Sequence, residues 1–195
     1  MADDRIRLIV GLGNPGPQYE LTRHNVGFWL ADRLAAQEGC AFRADSKLHG
    51  TLCRLTLSGR DVRVLKPSTF MNRSGQSVAA TARYFSIAPE EILIAHDELD
   101  LPPGSVRLKQ GGGHAGHNGL RDTIQQLGSR DFWRLRIGIG HPGDKSQVVG
   151  YVLNRPTRDE GALIVDAVDE AERSLAEIVT GGFQRAMNRL HGPAR

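Results

Sequence analysis

Apolar and polar residues follow two periods along the chain, and these predict strands and helices in turn. Short apolar or alternating runs predict strands at residues 8–10, 51–57, 61–66, 92–95 and 133–139. Helical spacing predicts helices at residues 25–38, roughly 74–86, a segment of about ten residues opened by the loop 111–119, a helix capped by Thr157 and Glu160, and a short one ending near His191. Alternating strands and helices with one hairpin predict an α/β fold: a single-domain, three-layer sandwich whose mixed, mostly parallel, twisted sheet is flanked by helices.

Two strands end in loops of the same form, Gly11–Gly16 and Gly138–Gly143. The likeness predicts that these strands are parallel neighbours whose loops meet at one edge of the sheet. Residues 140–155, rich in glycine and polar residues, are predicted to form a mobile flap over that edge. Cys53 shares strand parity with Leu55 and Leu57, which predicts a buried packing role rather than a catalytic one.

The composition is that of an ordinary globular protein. The 195 residues are 39% hydrophobic and 24% charged, which fits one domain over residues 1–195. No stretch approaches the ~20 apolar residues of a membrane span. The start of the chain runs directly into a strand without a signal-peptide pattern, and the two cysteines form no framework, so a cytoplasmic protein is expected.

Charge is segregated along the chain, although the net charge is only +3. Residues 101–155 carry eight basic and three acidic residues, and residues 40–75 carry seven and two. Residues 156–180 carry two basic and seven acidic residues. The distribution predicts one basic face suited to a polyanion and one acidic helix, with merely solvated faces as the open alternative.

The candidate chemistry centres on His24. It follows the first strand and its glycine-proline turn, and Asp97 follows another buried strand, so both are expected at the same edge of the sheet. A carboxylate beside a histidine orients the ring and stabilises its charged form, as a general base requires. The alternative is a surface loop whose acids are solvated. Because no G-x-S-x-G elbow or cysteine motif supplies a nucleophile, the attacking group is expected to be water.

Three asparagines, Asn14, Asn72 and Asn118, each follow a strand and precede a helix. Neutral amides suit the binding of an ester or amide, or the holding of a water molecule. A single such asparagine is usually a turn or helix-capping residue, and Asn118 is a candidate for that role as well. Three at one edge would indicate a binding site.

Two other readings of the glycine-rich segments carry less weight. Gly11-x-Gly13-x-x-Gly16 matches a dinucleotide-binding fingerprint in form, but Pro15 disfavours the required helix start and the acid about 20 residues onward falls within a helix. The segment GGGHAGHNG offers His114 and His117 to a metal, without a fixed third ligand. Its alternatives are an anion- or carbonyl-binding loop at a helix start, favoured by nearby basic residues, and a purely structural loop.

Five motifs in register give the chain a close resemblance to the bacterial-type peptidyl-tRNA hydrolase family. They are VGLGNPGPQYELTRHNVG, KPSTFMNRSG, HDELDLPPG, GGGHAGHNGL and RLRIGIGHPGD, and together they span nearly the whole length. The resemblance implies a monomeric cytoplasmic α/β enzyme without metal or other cofactor. Its expected partner is peptidyl-tRNA, whose ester between the peptide and the 3′ ribose it cleaves to recycle the tRNA; no obligate protein partner is expected.

The resemblance also implies roles for individual residues. His24 matches the catalytic base and Asp97 its supporting carboxylate, while Asn14 matches the residue that positions the attacking water and distinguishes N-blocked substrates. The residues that match substrate-contacting positions are Tyr19, Phe70, Asn72 and Asn118, and His117 would orient Asn118. The basic pair Lys109 and Arg136 matches positions that would hold the tRNA 5′-phosphate. Two rival functions stay open: a non-catalytic RNA-binding protein, and a metal-dependent hydrolase.

Overall fold

The computed structural model describes residues 5–192, whose strands form one seven-stranded sheet. The strands are β1 (Leu8–Gly11), β2 (Arg43–Asp45), β3 (Gly50–Leu57), β4 (Arg60–Pro67), β5 (Ile92–Glu98), β6 (Val106–Gln110) and β7 (Trp133–Gly138). The helices are α1 (Val26–Gln37), α2 (Ser74–Tyr84), α3 (Asn118–Leu127), α4 (Val148–Val152), α5 (Arg158–Val179) and α6 (Phe183–Leu190). Short 3₁₀ turns lead directly into α1, α2 and α4.

The sheet is mixed, with the strand order β2-β3-β4-β1-β5-β7-β6. The four central strands, β4, β1, β5 and β7, run parallel to one another. Antiparallel pairing is confined to β2, β3 and β6 at the two edges. The carboxyl ends of the central strands therefore meet at a single edge of the sheet.

One topological prediction is wrong. The strands that end at Gly11 and Gly138 are β1 and β7, and β5 lies between them, paired in parallel with each. Their loops do reach the same edge, as predicted, but the strands are not neighbours. A likeness between two turns reflects local backbone requirements and carries no information about strand order, and β5, with six consecutive buried residues, lies between the two strands.

Helices cover both faces of the sheet, which confirms the predicted three-layer sandwich. Successive side chains of a strand point to opposite faces. Accordingly, Ile9 and Leu93 belong to the core that packs against α1, α5 and α6. Leu8 and Ile92, one residue earlier in each strand, belong to the core that packs against α2 and α3.

The predicted local signals are largely confirmed. Thr157 and Glu160 form the capping box of α5, whose predicted apolar face from Ile164 to Ile178 is buried. Cys53 is buried with Leu55 and Leu57. Within residues 5–192, none of the helices is both long and apolar enough to cross a membrane.

One strand boundary, one strand and one short helix differ most from the prediction. Strand β5 continues to Glu98 rather than ending at Ala95, because His96 and Asp97 pair with β7 through Arg136 and Ile137. Strand β2 is short and mostly exposed, so no apolar pattern marks it. Helix α4 lies within the segment predicted to be a flap, and its side chains line the cleft described next.

Candidate active site

A cleft of about 940 Å³ opens at the carboxyl edge of the parallel strands, where the candidate chemistry was predicted. The predicted site residues that line it are Asn14, His24, Phe70, Asn72, Asp97, Lys109, His117, Asn118 and Arg136. Tyr19 lies beside it, with its ring edge-on to Phe70 and the two centroids 6.4 Å apart. The fold thus brings together residues that are widely separated in the sequence.

The centre of the cleft is a hydrogen-bonded pair, His24 and Asp97. His24 lies in the 3₁₀ turn before α1, and Asp97 lies near the carboxyl end of β5. Nδ1 of His24 is 2.8 Å from Oδ2 of Asp97. Since an ionised carboxylate only accepts hydrogen bonds, Nδ1 carries the proton and donates it. Nε2 of His24 has no partner among residues 5–192, so its lone pair is available on the cleft side.

A second imidazole, that of His117, binds the other oxygen of Asp97. Nε2 of His117 is 2.8 Å from Oδ1 of Asp97. Nδ1 of His117 accepts a hydrogen bond from the backbone N–H of Leu120 at 3.2 Å and so caps α3. An accepting Nδ1 bears no proton, so the proton of a neutral His117 must lie on Nε2 and point at Asp97. The start of α3 therefore fixes the tautomer of His117.

These contacts shift the pKa values of the pair in opposite directions. Burial alone would raise the pKa of Asp97, but the charge of His24 and the contacts with both imidazoles outweigh burial and hold that pKa well below 3.8. Burial likewise opposes the charged form of His24, but the adjacent Asp97 more than offsets it and raises the pKa of His24 above 6.5. Asp97 is therefore ionised at neutral pH, and His24 is a stronger base than a free imidazole.

Asn14 presents a free amide donor to the cleft. Its side-chain Oδ1 accepts a hydrogen bond from the backbone N–H of Met71 at 2.7 Å, which assigns the oxygen and nitrogen of the amide. The Nδ2 group is left without a partner in the described part of the chain. Asn14 is buried apart from this approach, with 7% of its surface exposed.

The structure corrects the expected relation between His117 and Asn118. Both ring nitrogens of His117 are engaged elsewhere, by Asp97 and by the backbone of Leu120, so the ring does not orient the side chain of Asn118. His117 is the capping residue of α3, and Asn118 is the first residue of the helix rather than its cap. Asn118 lines the cleft from the positive end of α3.

The basic end of the cleft is formed by β6 and β7. In their antiparallel register Lys109 lies opposite Arg134, and Arg136 lies two residues further along β7, so the three side chains share one face of the sheet. Nε of Arg136 donates to Glu98 at 2.7 Å. Arg134 is buried and donates to the backbone oxygens of Gly112 and Gly113, which holds the glycine-rich loop in place.

The donor set is poorly suited to a metal ion. His24, Asp97 and His117 offer ligand atoms that lie within 4.8 Å of one another. A zinc ion would need such atoms at about 2.0–2.2 Å from a common centre. Instead, each imidazole is hydrogen-bonded to a different carboxylate oxygen of Asp97. His114, which the metal reading requires, is outside this group and accepts the backbone N–H of Gly116.

Several residues of the site were missed by the sequence analysis. Asn25 is buried and binds the backbone of Asn14. His96 is buried beside His117, donates from Nδ1 to the backbone oxygen of Asp97, and has a pKa lowered by burial to about 3. Their only signal in the sequence is adjacency, since Asn25 follows His24 and His96 precedes Asp97.

Comparison with known proteins identifies the family. The family model for peptidyl-tRNA hydrolase matches residues 8–195. The chain is 57% identical over 186 residues to the peptidyl-tRNA hydrolase of Methylobacillus flagellatus, covering 95% of this chain and 96% of the relative. It is 56% identical over 188 residues to that of Edwardsiella ictaluri, covering 96% of each.

The fold agrees as well. The crystal structure of peptidyl-tRNA hydrolase from Acinetobacter baumannii superposes with a TM-score of 0.94 at 50% identity, over 97% of this chain and 96% of that one. The chain belongs to the peptidyl-tRNA hydrolase family.

Proposed function

We propose that this family member hydrolyses the ester between the peptide and the 3′ ribose of peptidyl-tRNA, with His24 as the general base that activates water. The observation that carries the proposal is the hydrogen-bonded chain from His117 through Asp97 to His24. Within residues 5–192 it leaves Nε2 of His24 without a partner, in the same cleft as the free amide of Asn14. The released tRNA would then be recycled.

The reaction follows from the protonation states. Nε2 of His24 takes a proton from water as the water oxygen attacks the ester carbon, and the imidazolium is stabilised by ionised Asp97. Collapse of the tetrahedral intermediate breaks the bond to the ribose 3′ oxygen, which receives the proton from His24. Nδ2 of Asn14 acts as a donor that positions the water oxygen. An activated ester needs no more than this, because a general base supplies typically ~10²–10⁴-fold.

Selectivity for N-blocked substrates has a physical basis at the same place. A free aminoacyl ester carries an α-amine with a pKa of about 7.7–8.0, so it is largely charged at neutral pH. The carboxylate of Asp97 is already bound to two imidazoles, and Asn14 offers the cleft only a donor, so the charged amine would be left desolvated and unpaired. We assign Asn14 a part in this discrimination, with Asn72, Asn118 and Phe70 as further contacts on the substrate.

The tRNA is proposed to approach from the β6–β7 end. Lys109 and Arg136 lie there on one face of the sheet, and Lys145 adds a third cation from the segment before α4. Glu98 holds Arg136 in place through its 2.7 Å contact while leaving Lys109 for a phosphate. This arrangement supports a binding role for both cations, as the sequence resemblance implied.

We also propose that the enzyme acts as a monomer built from one domain. The single sheet has helices on both faces, and each of α1, α2, α3, α5 and α6 packs on a strand or on another of these helices. Because ribosomes produce peptidyl-tRNA in the cytoplasm, the enzyme is proposed to work there. Sedimentation equilibrium tests the monomer, and a mass near 42 kDa rather than 21.3 kDa would contradict it.

The experiment that tests the function follows release of N-acetyl-amino acid from acylated tRNA in the presence of EDTA. We expect rapid release by the wild type and a loss of about 10²–10⁴-fold in H24A, the range that a general base contributes. The matched control is H49N, a histidine outside the cleft, which should stay at the wild-type rate. Binding of the tRNA without release by the wild type would favour a non-catalytic RNA-binding protein, and loss of activity in EDTA would favour a metal-dependent one.

A further inference from the structure

The side-chain amide of Asn25 makes two hydrogen bonds with the backbone of Asn14. Its Oδ1 accepts the backbone N–H of Asn14 at 2.9 Å, and its Nδ2 donates to the backbone oxygen of Asn14 at 2.9 Å. Asn25 is 1% exposed, so water does not compete for either bond. Both hydrogen-bonding sides of its amide are thereby used on a single residue, eleven positions earlier in the chain.

The position of Asn25 makes this use of its side chain unusual. Asn25 is the capping residue of α1, and asparagine is among the residues that most favour helix caps, because its side chain can accept a backbone N–H of the first turn. Here it makes no such bond. The residues at the starts of α3 and α5, His117 and Thr157, do cap their helices. The side chain of Asn25 therefore makes its hydrogen bonds to the loop after β1 rather than to the first turn of α1.

The surrounding backbone leaves little room for adjustment. A Cβ on Gly27 would lie 2.4 Å from the backbone oxygen of Ala95 and 2.6 Å from backbone atoms of Leu12. A Cβ on Gly11 would lie 2.2 Å from the backbone oxygen of Gly27. The ends of β1 and β5 and the start of α1 are thus in direct backbone contact. Asn25 lies in this junction, one residue after His24.

We propose that Asn25 is a positioning residue, which fixes the amide of Asn14 relative to the base His24. Asn25 holds the backbone of Asn14, and the backbone N–H of Met71 turns the amide so that its Nδ2 points to the cleft. Asn25 is not among the residues that line the cleft, so its effect on the reaction would pass through Asn14. The inference rests on the proposed function, in which Asn14 and His24 act on the same water molecule.

A double-mutant cycle tests the inference. The variants are N25A, N14A and N14A/N25A, assayed for release of N-acetyl-amino acid from acylated tRNA. Because a misplacement of about 1 Å costs roughly 10²-fold in rate, N25A should lower kcat by about that factor with KM little changed. In the N14A background the same change should lower kcat by less than about threefold, since the group it positions is already gone.

A pH profile separates positioning from general damage. The contact between His24 and Asp97 does not involve Asn25, so the acid limb of kcat/KM in N25A should keep the wild-type midpoint. T81V is the matched control: it removes a buried side-chain hydrogen bond in α2, from Thr81 to the backbone oxygen of Ser77. It should lower the melting temperature while leaving kcat unchanged.

The outcomes divide clearly. Equal losses from N25A in the wild-type and N14A backgrounds, wild-type activity in N25A, or a shifted acid limb would each overturn the inference. If N14A itself keeps full activity, the proposed role of Asn14 fails first, and that result is distinct. If N25A does not fold, N25D replaces it, because N25D keeps the size of the side chain and one acceptor but loses the donor to the backbone oxygen of Asn14. We expect N25D to lower kcat as N25A would, and to have no such effect in the N14A background.

Discussion

Replacing Asp97 by asparagine should damage the enzyme more than replacing it by alanine. His117 must donate from Nε2, because its Nδ1 accepts the backbone N–H of Leu120. In D97N the amide oxygen therefore has to face His117, and the amide NH₂ has to face Nδ1 of His24. A donor facing Nδ1 favours the tautomer of His24 that carries its proton on Nε2, and this tautomer has no lone pair on the cleft side.

The magnitude follows from the number of buried donors. If His24 kept its active tautomer in D97N, its Nδ1–H would face the amide NH₂, and one of these two donors would have no acceptor. Rotating the amide would place its NH₂ against the Nε2–H of His117 instead. A buried donor left unsatisfied costs about 1–3 kcal/mol. Since 1.36 kcal/mol corresponds to a tenfold change, the population of the active tautomer falls by about 5- to 150-fold. D97A loses the charge of Asp97 but imposes no tautomer, so it should be more active than D97N by about that factor.

The assay is single-turnover release of N-acetyl-amino acid by each variant, on protein whose near-UV circular dichroism confirms folding. Nitrogen-15 spectra of the histidine side chains report the tautomer directly. We expect a proton on Nε2 of His24 in D97N and on Nδ1 in the wild type. D97N at least as active as D97A, or a proton retained on Nδ1 of His24 in D97N, would show that His117 does not set the tautomer of His24 through residue 97.

Three further predictions follow from other parts of the structure. K109A should weaken tRNA binding and reduce the slope of log Kd against log salt concentration by about one, the contribution of one phosphate contact. Hydrolysis of a tRNA-free ester should stay unchanged. An unaltered slope would exclude a contact between Lys109 and a phosphate. His96 has a pKa of about 3 in the folded protein against 6.5 when unfolded, so it is neutral in the folded state. Below pH 6.5 the unfolded state binds a proton that the folded state does not, and this group alone should lower the free energy of unfolding by about 1.4 kcal/mol per pH unit. Urea unfolding of H96N at pH 6.5 and 5.0 should lack this pH-dependent loss of stability. In G75A the new Cβ would lie 2.3 Å from the backbone oxygen of Asp122 in α3, so overpacking of about 1–3 kcal/mol should lower the melting temperature by roughly 2–12 °C, whereas G161A, which has room, should not lower it.

Much of the site could be predicted because it depends on one topological rule. The carboxyl ends of parallel strands meet at one edge, so residues that follow buried strands were expected together, and Asn14, His24 and Asp97 are together. The strand order could not be predicted in the same way. The loops after β1 and β7 look alike because each needs tight glycine turns, and this need carries no information about β5 between them.

The roles of His117, Asn25 and His96 could not be predicted because they depend on contacts between distant segments. His117 and Asp97 are 20 residues apart, and their contact exists only because α3 starts beside the end of β5. Asn25 has the sequence signal of a helix cap, yet tertiary structure uses its amide elsewhere. Strand β2 was missed for a simpler reason, since three mostly exposed polar or small residues show no period.

We propose that neutral His24, held by Asp97, is the base that activates water. The most direct measurement compares the acid limb of kcat/KM with the pKa of His24 read from its own NMR titration. We expect the two midpoints to coincide above 6.5, because Asp97 outweighs burial in raising the pKa of His24, and we expect both to move down together in D97A. An acid limb that does not follow the titration of His24, or a His24 that does not titrate while activity changes with pH, would contradict a role of His24 as the base.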